Sequence, residues 1–256
     1  MEPERELGEV LGQIRAVVRY QAEVFGSEVW LSEGSRPGKA PPPPSTGSET
    51  ASDSTSWASV EGDIPQELLA FADLDALEAF VRTCQRCRLG RLRRHVVFGT
   101  GNPQAQLVLV GEAPGADEDA TGVPFVGKAG QLLDRILAAI GFSRHEVYIC
   151  NVLKCRPPHN RDPLPDEVAS CRPYLLRQLA LIRPRLILAL GRHAAMALLG
   201  TSEPLSSLRG RFHPFYGAEV LVTYHPAALL RNPAWKRLVW EDVQQLRRRY
   251  DELFSV

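Results

Sequence analysis

The stretch from Leu107 to Gly130, LVLVGEAPGADEDATGVPFVGKAG, constrains the fold of this chain more than any other. Leu107-Val-Leu-Val110 is an apolar run without polar alternation, the pattern of a strand buried on both faces. It breaks at once into Gly111-Glu-Ala-Pro-Gly115. The two glycines open backbone angles and close approaches denied to other residues, and Pro114 stiffens the turn between them. An acidic run (Asp117, Glu118, Asp119), then Phe125, then a helical pattern from Lys128 follow. A strand covered on both faces that feeds a tight turn and a helix belongs to an open α/β sheet. In such sheets ligands sit beyond the carboxyl ends of the strands, where this loop lies.

The pattern then repeats. Leu132, Leu133, Ile136, Leu137 and Ile140 give a helix over 128–140 its inward stripe, and Val147–Asn151 reads as a strand. Pro165-Asp-Glu opens a helix over 165–182 with a favourable first turn. Leu186–Leu190 is another apolar strand, turned by Gly191 into a helix over 192–199. Val220–Thr223 is the fourth strand, ending at Tyr224-His225-Pro226, and a helix over 234–253 closes the chain. Strands alternating with helices predict an α/β fold with a mostly parallel sheet covered on both faces.

Upstream, Leu74, Leu77, Phe80 and Val81 lead into Cys84-Gln-Arg-Cys87, which places the globular domain at 73–256. Residues 33–72 read as a low-complexity, disordered linker rich in Pro, Ser and Gly, with a stiff polyproline segment at Pro41–Pro44. Trp57 falls within it, as a weakly packed aromatic or as a partner anchor. Residues 1–32 form an N-terminal segment in which Leu7, Val10, Leu11, Ile14, Val17, Val18, Ala22 and Phe25 recur at helical spacing. That stripe packs on the chain's own core or docks a protein partner.

One sub-motif misleads. Gly122-Val-Pro-Phe-Val-Gly127-Lys128-Ala129 fits a phosphate-binding P-loop except at its last position, where a hydroxyl must hold magnesium and Ala129 stands instead. Pro124 also removes a backbone N–H from the cradle. Nucleotide hydrolysis is therefore not expected.

The zero net charge conceals an asymmetry. Residues 1–80 carry 5 Lys/Arg against 15 Asp/Glu, a balance of −10, whereas residues 81–256 carry 25 against 15, a balance of +10. Arg82, Arg86, Arg88, Arg91, Arg93 and Arg94 fall within thirteen residues that contain no acid. A basic globular part with clustered arginines points to nucleic acid as the partner. No apolar run is long enough to span a membrane, and Met1-Glu-Pro-Glu-Arg-Glu is not a secretory start. A cytoplasmic, monomeric protein is expected.

Five cysteines occur, and Cys84, Cys87, Cys155 and Cys171 offer four thiolates in two pairs, a set that suits zinc or an iron–sulfur cluster. In an intracellular chain disulfides are the lesser reading. Cys150, inside an apolar strand, reads as an inert buried thiol. A metal here would tie the segment before the sheet to the loop after the second strand, and would gather Arg86, Arg88, Arg156 and Arg172 as a phosphate clamp.

Glu112, Phe125, Asn151 and His225 fall at or beyond carboxyl ends of predicted strands. An Asn amide reads a base edge, an aromatic face stacks on a base, and a His donates to an oxygen on which charge develops. Glu112 can position a water. Each alone has a structural reading; together, at successive strand ends, they read as a site. His225 opens HPAALLR, in which Leu229, Leu230 and Arg231 form a wedge that enters a DNA stack while a nucleotide is turned out. The alternative is that both leucines begin a helix facing the core.

Gly111-Glu-Ala-Pro-Gly115, Pro124-Phe-Val-Gly-Lys-Ala-Gly130, Asn151-Val-Leu-Lys-Cys-Arg-Pro-Pro158 and His225-Pro-Ala-Ala-Leu-Leu230 occur in order within a frame of four cysteines. With these, residues 80–250 resemble the family 4 uracil-DNA glycosylases, the iron–sulfur branch of that superfamily. The resemblance implies a three-layer α/β/α fold around a four-stranded parallel sheet. It implies a [4Fe–4S] cluster on Cys84, Cys87, Cys155 and Cys171, and removal of uracil from single- or double-stranded DNA to leave an abasic site. By position, Phe125 stacks on the flipped uracil, Asn151 reads its pairing edge and His225 bonds the developing uracil anion. The Gly111–Gly115 loop, with Gly111, Ala113 and Gly115, supports the attacking water, and Leu229–Arg231 fills the gap in the duplex.

The best-known branch of the superfamily has an Asp where Ala113 stands, so rate is expected from leaving-group stabilisation and positioning, with Glu112 as helper. A related branch traps uracil covalently through a histidine in a basic insert; Pro157-Pro-His159-Asn-Arg161 is not that insert, which favours hydrolysis. The rival readings are a metal-stapled module that binds DNA without catalysis and a glycosylase for another deaminated base.

Overall fold

The computed structural model describes residues 56–254, so the helix expected over 7–25 and the linker up to residue 55 lie outside the described residues. Four strands form the parallel heart of the sheet: β2 (Leu107–Gly111), β3 (Tyr148–Asn151), β4 (Leu186–Leu190) and β6 (Ala218–Thr223). Short antiparallel strands finish both edges, β1 (Thr100–Gly101) beside β3 and β5 (Phe212–Phe215) beside β6, giving the order β1-β3-β2-β4-β6-β5. Register sets the site. Gly111 lies opposite Asn151 and Leu190 opposite Thr223, so the carboxyl ends of the parallel strands meet along one edge.

Nine α-helices connect and flank the strands: α1 (Gln66–Leu69), α2 (Leu74–Arg82), α3 (Ala116–Thr121), α4 (Lys128–Ala139), α5 (Pro165–Ile182), α6 (Arg192–Leu199), α7 (Leu205–Leu208), α8 (Pro226–Arg231) and α9 (Lys236–Phe254) among the described residues. Successive strand residues point to opposite faces, and the core divides accordingly. Val108, Val110, Ile187 and Val220 pack with α2, α5 and α6, while Leu107, Leu109, Leu188 and Leu221 pack with α4 and α9. The result is the three-layer α/β/α arrangement expected.

Two features differ from expectation. Among the described residues, packing extends upstream of residue 73: a 3₁₀ turn at Trp57–Asp63 and α1 bury Val60, Ile64 and Leu68 in the same core as α5. Trp57 packs 6.2 Å from the Phe215 ring and 6.4 Å from Tyr216. Widely spaced apolar residues in a Ser- and Asp-rich background hid this extension from composition. The edge strands were also missed, because β1 is two residues long and β5 carries Pro214, tolerated there since an edge strand has N–H groups without partners.

Candidate active site

Strands β2, β3 and β6 each deliver residues to one cleft. β2 hands on Glu112–Gly115, β3 ends at Asn151, and His225 lies two residues past β6. With Phe125, Asn160 and Arg161 they line a cavity of about 160 Å³. A Cβ on Gly111 would run into Asn151 Oδ1 and the Phe125 ring, so the glycine is what lets these two side chains converge.

Phe125 is held in place against its own backbone preference, at φ 55°. Gly130 permits this, since a Cβ there would strike the Phe125 carbonyl. Arg144 fixes the turn from one side, donating to the carbonyls of Phe125 (2.9 Å) and Pro124 (2.6 Å) and to Asp134 (2.8 Å). Glu118 fixes it from the other. Its carboxylate accepts from the backbone N–H groups of Gly115 (3.0 Å), Val126 (2.9 Å) and Gly127 (3.0 Å), stitching both arms of the loop together. The Phe125 ring then faces that of His225 at 5.5 Å and 29°.

The polar groups are prepared for a ligand. Asn151 is 1% exposed, and its Oδ1 is buried without a hydrogen-bond partner. Such an atom costs about 1–3 kcal/mol until something donates to it. His225 Nδ1 accepts the Ala227 backbone N–H at 3.1 Å, which leaves the proton of a neutral imidazole on Nε2. Burial pushes the His225 pKa down to about 4 against the opposing pull of Glu112 and Glu118, with Arg231 adding to the depression. Above that pH the ring is a neutral N–H donor.

Glu112 has a partner that sequence reasoning missed: His193 Nδ1 lies 2.7 Å from Glu112 Oε2. His193 stands at the start of α6, just past the carboxyl end of β4, the one parallel strand end not searched in the sequence. Glu118, Arg144 and Arg161 were likewise missed as site residues, since their contacts join turns that periodicity does not describe.

Cys84, Cys87, Cys155 and Cys171 line one small cavity, while Cys150 is buried in β3. Donors aim at three of the four sulfurs: Tyr174 Oη at Cys84 (3.1 Å), Arg93 at Cys155 (3.3 Å) and the Lys154 N–H at Cys171 (3.2 Å). Burial pushes the Cys171 thiol up to about 12, so a cationic occupant is what would hold it as thiolate. Four thiols lining one cavity are a donor set that suits zinc or an iron–sulfur cluster.

Other expectations need correction. Leu229 is fully buried in the core under α4 and α9, so it is no wedge; Leu230, 47% exposed, and Arg231 face solvent. Successive residues of helix α8 are turned by about 100°, which buries Leu229 while leaving Leu230 facing solvent. The four-arginine clamp is also not assembled as free charge. Arg86 pairs with Glu67 and lies over the Tyr174 ring, Arg88 pairs with Glu167, and Arg172 donates to the Ala197 carbonyl. Arg156 bonds the neutral Asn160, which lines the cleft, rather than an acid among the described residues.

A family profile described as "Uracil DNA glycosylase superfamily" matches residues 98–244. The chain is 45% identical over 184 residues to a type-4 uracil-DNA glycosylase of Saccharolobus solfataricus, covering 68% of this chain and 85% of that protein. It is 44% identical over 190 residues to a type-4 uracil-DNA glycosylase of Archaeoglobus fulgidus, covering 71% of this chain and 90% of that protein. A third of the same name, from Sulfurisphaera tokodaii, is 43% identical over 183 residues, 68% of this chain and 83% of that protein.

Proposed function

Because the chain belongs to the uracil-DNA glycosylase superfamily, we propose that its cleft receives one uracil turned out of DNA and that the surrounding residues divide the work of releasing it. The enzyme is a DNA-repair hydrolase that excises uracil and leaves an abasic site. The observation that carries the division of labour is the unpartnered Oδ1 of Asn151, buried beside Phe125 and His225. A uracil stacked on Phe125 presents a ring N–H and flanking carbonyls, and the Asn151 carboxamide accepts from the N–H while donating to a carbonyl.

In hydrolysis the bond between the sugar C1′ and the base nitrogen breaks, its electron pair leaving with the base as a uracil anion. His225, neutral and protonated on Nε2, donates to the oxygen on which that charge collects; a neutral imidazole stabilises the anion without transferring a proton. Water then attacks C1′ of the sugar cation, and Glu112 seats that water and takes its proton. With Ala113 in the turn, no second carboxylate stands there. Leu230 enters the gap in the duplex, with Arg231 and Arg156 on flanking phosphates.

Cys84, Cys87, Cys155 and Cys171 would hold a [4Fe–4S] cluster, which would supply a structural staple; their shared cavity and the donors aimed at three of the sulfurs support a bound thiolate cluster there.

The test is alkaline cleavage of a uracil-containing oligonucleotide after incubation with the protein, beside a thymine control. Strand breaks confined to the uracil position, and lost in Asn151→Ala, support the reading; intact uracil strands refute it. Breaks at another deaminated base alone would favour the rival specificity.

A further inference from the structure

We propose that His193 is a positioning residue for Glu112: it pins the carboxylate by one hydrogen bond and, by gaining or losing charge, sets how strongly that carboxylate draws the proton of the attacking water. The proposal rests on the reading of Glu112 as the seat of that water.

The geometry is built from two turns. Glu112 follows directly on β2, and its backbone is fixed because its carbonyl accepts the Leu153 N–H at 3.0 Å. Its side chain is therefore the part left to be aimed. The β4–α6 turn supplies the aim. Gly191 takes φ 91°, with its N–H on the Thr223 carbonyl at 2.8 Å, and a Cβ there would sit 3.1 Å from His225 Cβ. This turn passes beneath His225 and brings His193 to Glu112, Nδ1 to Oε2 at 2.7 Å. One carboxylate oxygen is thus occupied, and the cleft-lining Glu112 keeps the other for water.

The charged groups around His193 are few. Asp162 Oδ2 lies 3.9 Å from Nε2 on an exposed side chain, and Arg192 precedes His193 on α6. Across the cleft, Glu112 also faces His225, with Glu118 beyond it. The hydrogen bond to Glu112 raises the His193 pKa above its ordinary value, with the Glu112 and Asp162 charges adding to it; burial and Arg192 oppose. The two imidazoles nearest Glu112 are therefore driven apart, His225 to stay neutral and His193 to titrate above it. Below its pKa, imidazolium neutralises Glu112, weakening it as a base and cancelling its charge beside the sugar cation. Above it, neutral His193 still donates from Nδ1 and the carboxylate keeps its charge. Excision speeds up as His193 loses its proton.

The experiment is single-turnover release of uracil from an oligonucleotide between about pH 5.5 and about pH 9, for wild type, His193→Asn and His193→Ala. Asn keeps a donor near the Nδ1 position and cannot titrate. The expected result is His193→Asn within about threefold of wild type at high pH with a flattened acid limb, and His193→Ala slowed by about ten- to a hundredfold in kcat with KM little changed. An independent readout is the imidazole titration of His193 by NMR, whose midpoint falls in Glu112→Gln. A wild-type acid limb in His193→Asn, or a midpoint unmoved by Glu112→Gln, overturns the proposal even if His193→Ala fails to fold. Absence of uracil release by the wild type instead sinks the glycosylase reading, while the NMR midpoint still tests the pairing.

Discussion

Glu118 offers the sharpest test of how the catalytic loop is held. Its carboxylate accepts three backbone N–H groups, at 3.0, 2.9 and 3.0 Å, from Gly115 before helix α3 and from Val126 and Gly127 after the turn that follows it. A hydrogen bond to a charged group contributes about 1.5–3 kcal/mol. Three of them would give well above 4 kcal/mol, but Glu118 is half-buried, so water recovers part of the loss when it is removed. Glu118→Ala should cost about 3–4 kcal/mol. At about 2–4 °C per kcal/mol for a domain of this size, the melting temperature falls by about 6–16 °C.

Glu118→Gln separates the two arms. Its amide oxygen can keep Val126 and Gly127, but its NH₂ then faces the Gly115 N–H, so it should lose about a third as much. Calorimetric melting of the three proteins at neutral pH, with excision rates alongside, decides the matter. Because Phe125 and the Gly111–Gly115 turn lose their mutual restraint, kcat should fall in the same order. Melting of Glu118→Ala within about 2 °C of wild type, or indistinguishable values for Ala and Gln, would show that these three bonds do not hold the loop.

Four further outcomes are expected. His225→Ala should lose about 10²–10³ in kcat, the effect of one donor to a developing anion, read by single-turnover kinetics. Leu229→Ala should cost about 2–5 kcal/mol by denaturant unfolding, whereas Leu230→Ala should leave stability intact and slow excision from duplex DNA. Hydrogen bonds from Arg161, then the Leu164 N–H and Arg88, hold Glu167 down to about 2. Its contribution to stability is therefore complete above about pH 4.5 and lost as pH falls toward 2; Glu167→Gln should flatten that part of an acid-unfolding curve. If the four thiols hold the proposed cluster, Cys171→Ser should lower its visible absorption and the melting temperature, measured on the same sample.

What sequence made legible was what repeats or stands at a fixed place. The parallel strands announced themselves because residues such as Leu107–Val110 and Leu186–Leu190 are covered on both faces and carry no polar alternation. Asn151 and His225 were visible because strand ends are where chemistry is placed. Contacts across long separations were not visible: His193 meets Glu112 across 81 positions, and Arg144 reaches Phe125 across 19. Nor could sequence divide Leu229 from Leu230, whose fates depend on the rotation of one short helix. Trp57 and Val60 looked like linker because the surface they bury against, Phe215, Tyr216 and α5, is assembled from distant segments.

The position of the cysteine cavity would let the proposed cluster bear on catalysis without entering it. After β3 the chain runs from Asn151 to Cys155 between the two sites. On one side it is knit to the catalytic turn, Val152 N–H to the Gly111 carbonyl at 2.9 Å and Leu153 N–H to that of Glu112 at 3.0 Å. On the other, the Lys154 N–H meets Cys171 Sγ at 3.2 Å, and Cys155 is itself one of the four thiols. Lys154 closes the link: wholly buried, it donates from Nζ back to the Asn151 carbonyl at 2.7 Å and lies 5.9 Å from the Phe98 ring centre. Asn151 must hold an unpaired oxygen in place before any base arrives, and a loop of five residues has little stiffness of its own. A cluster gripping Cys155 together with thiols from α5 and from the segment after α2 would fix its far end. Disturbing that frame therefore displaces Asn151 before it disturbs Phe125, whose restraints come from Glu118 and Arg144 instead.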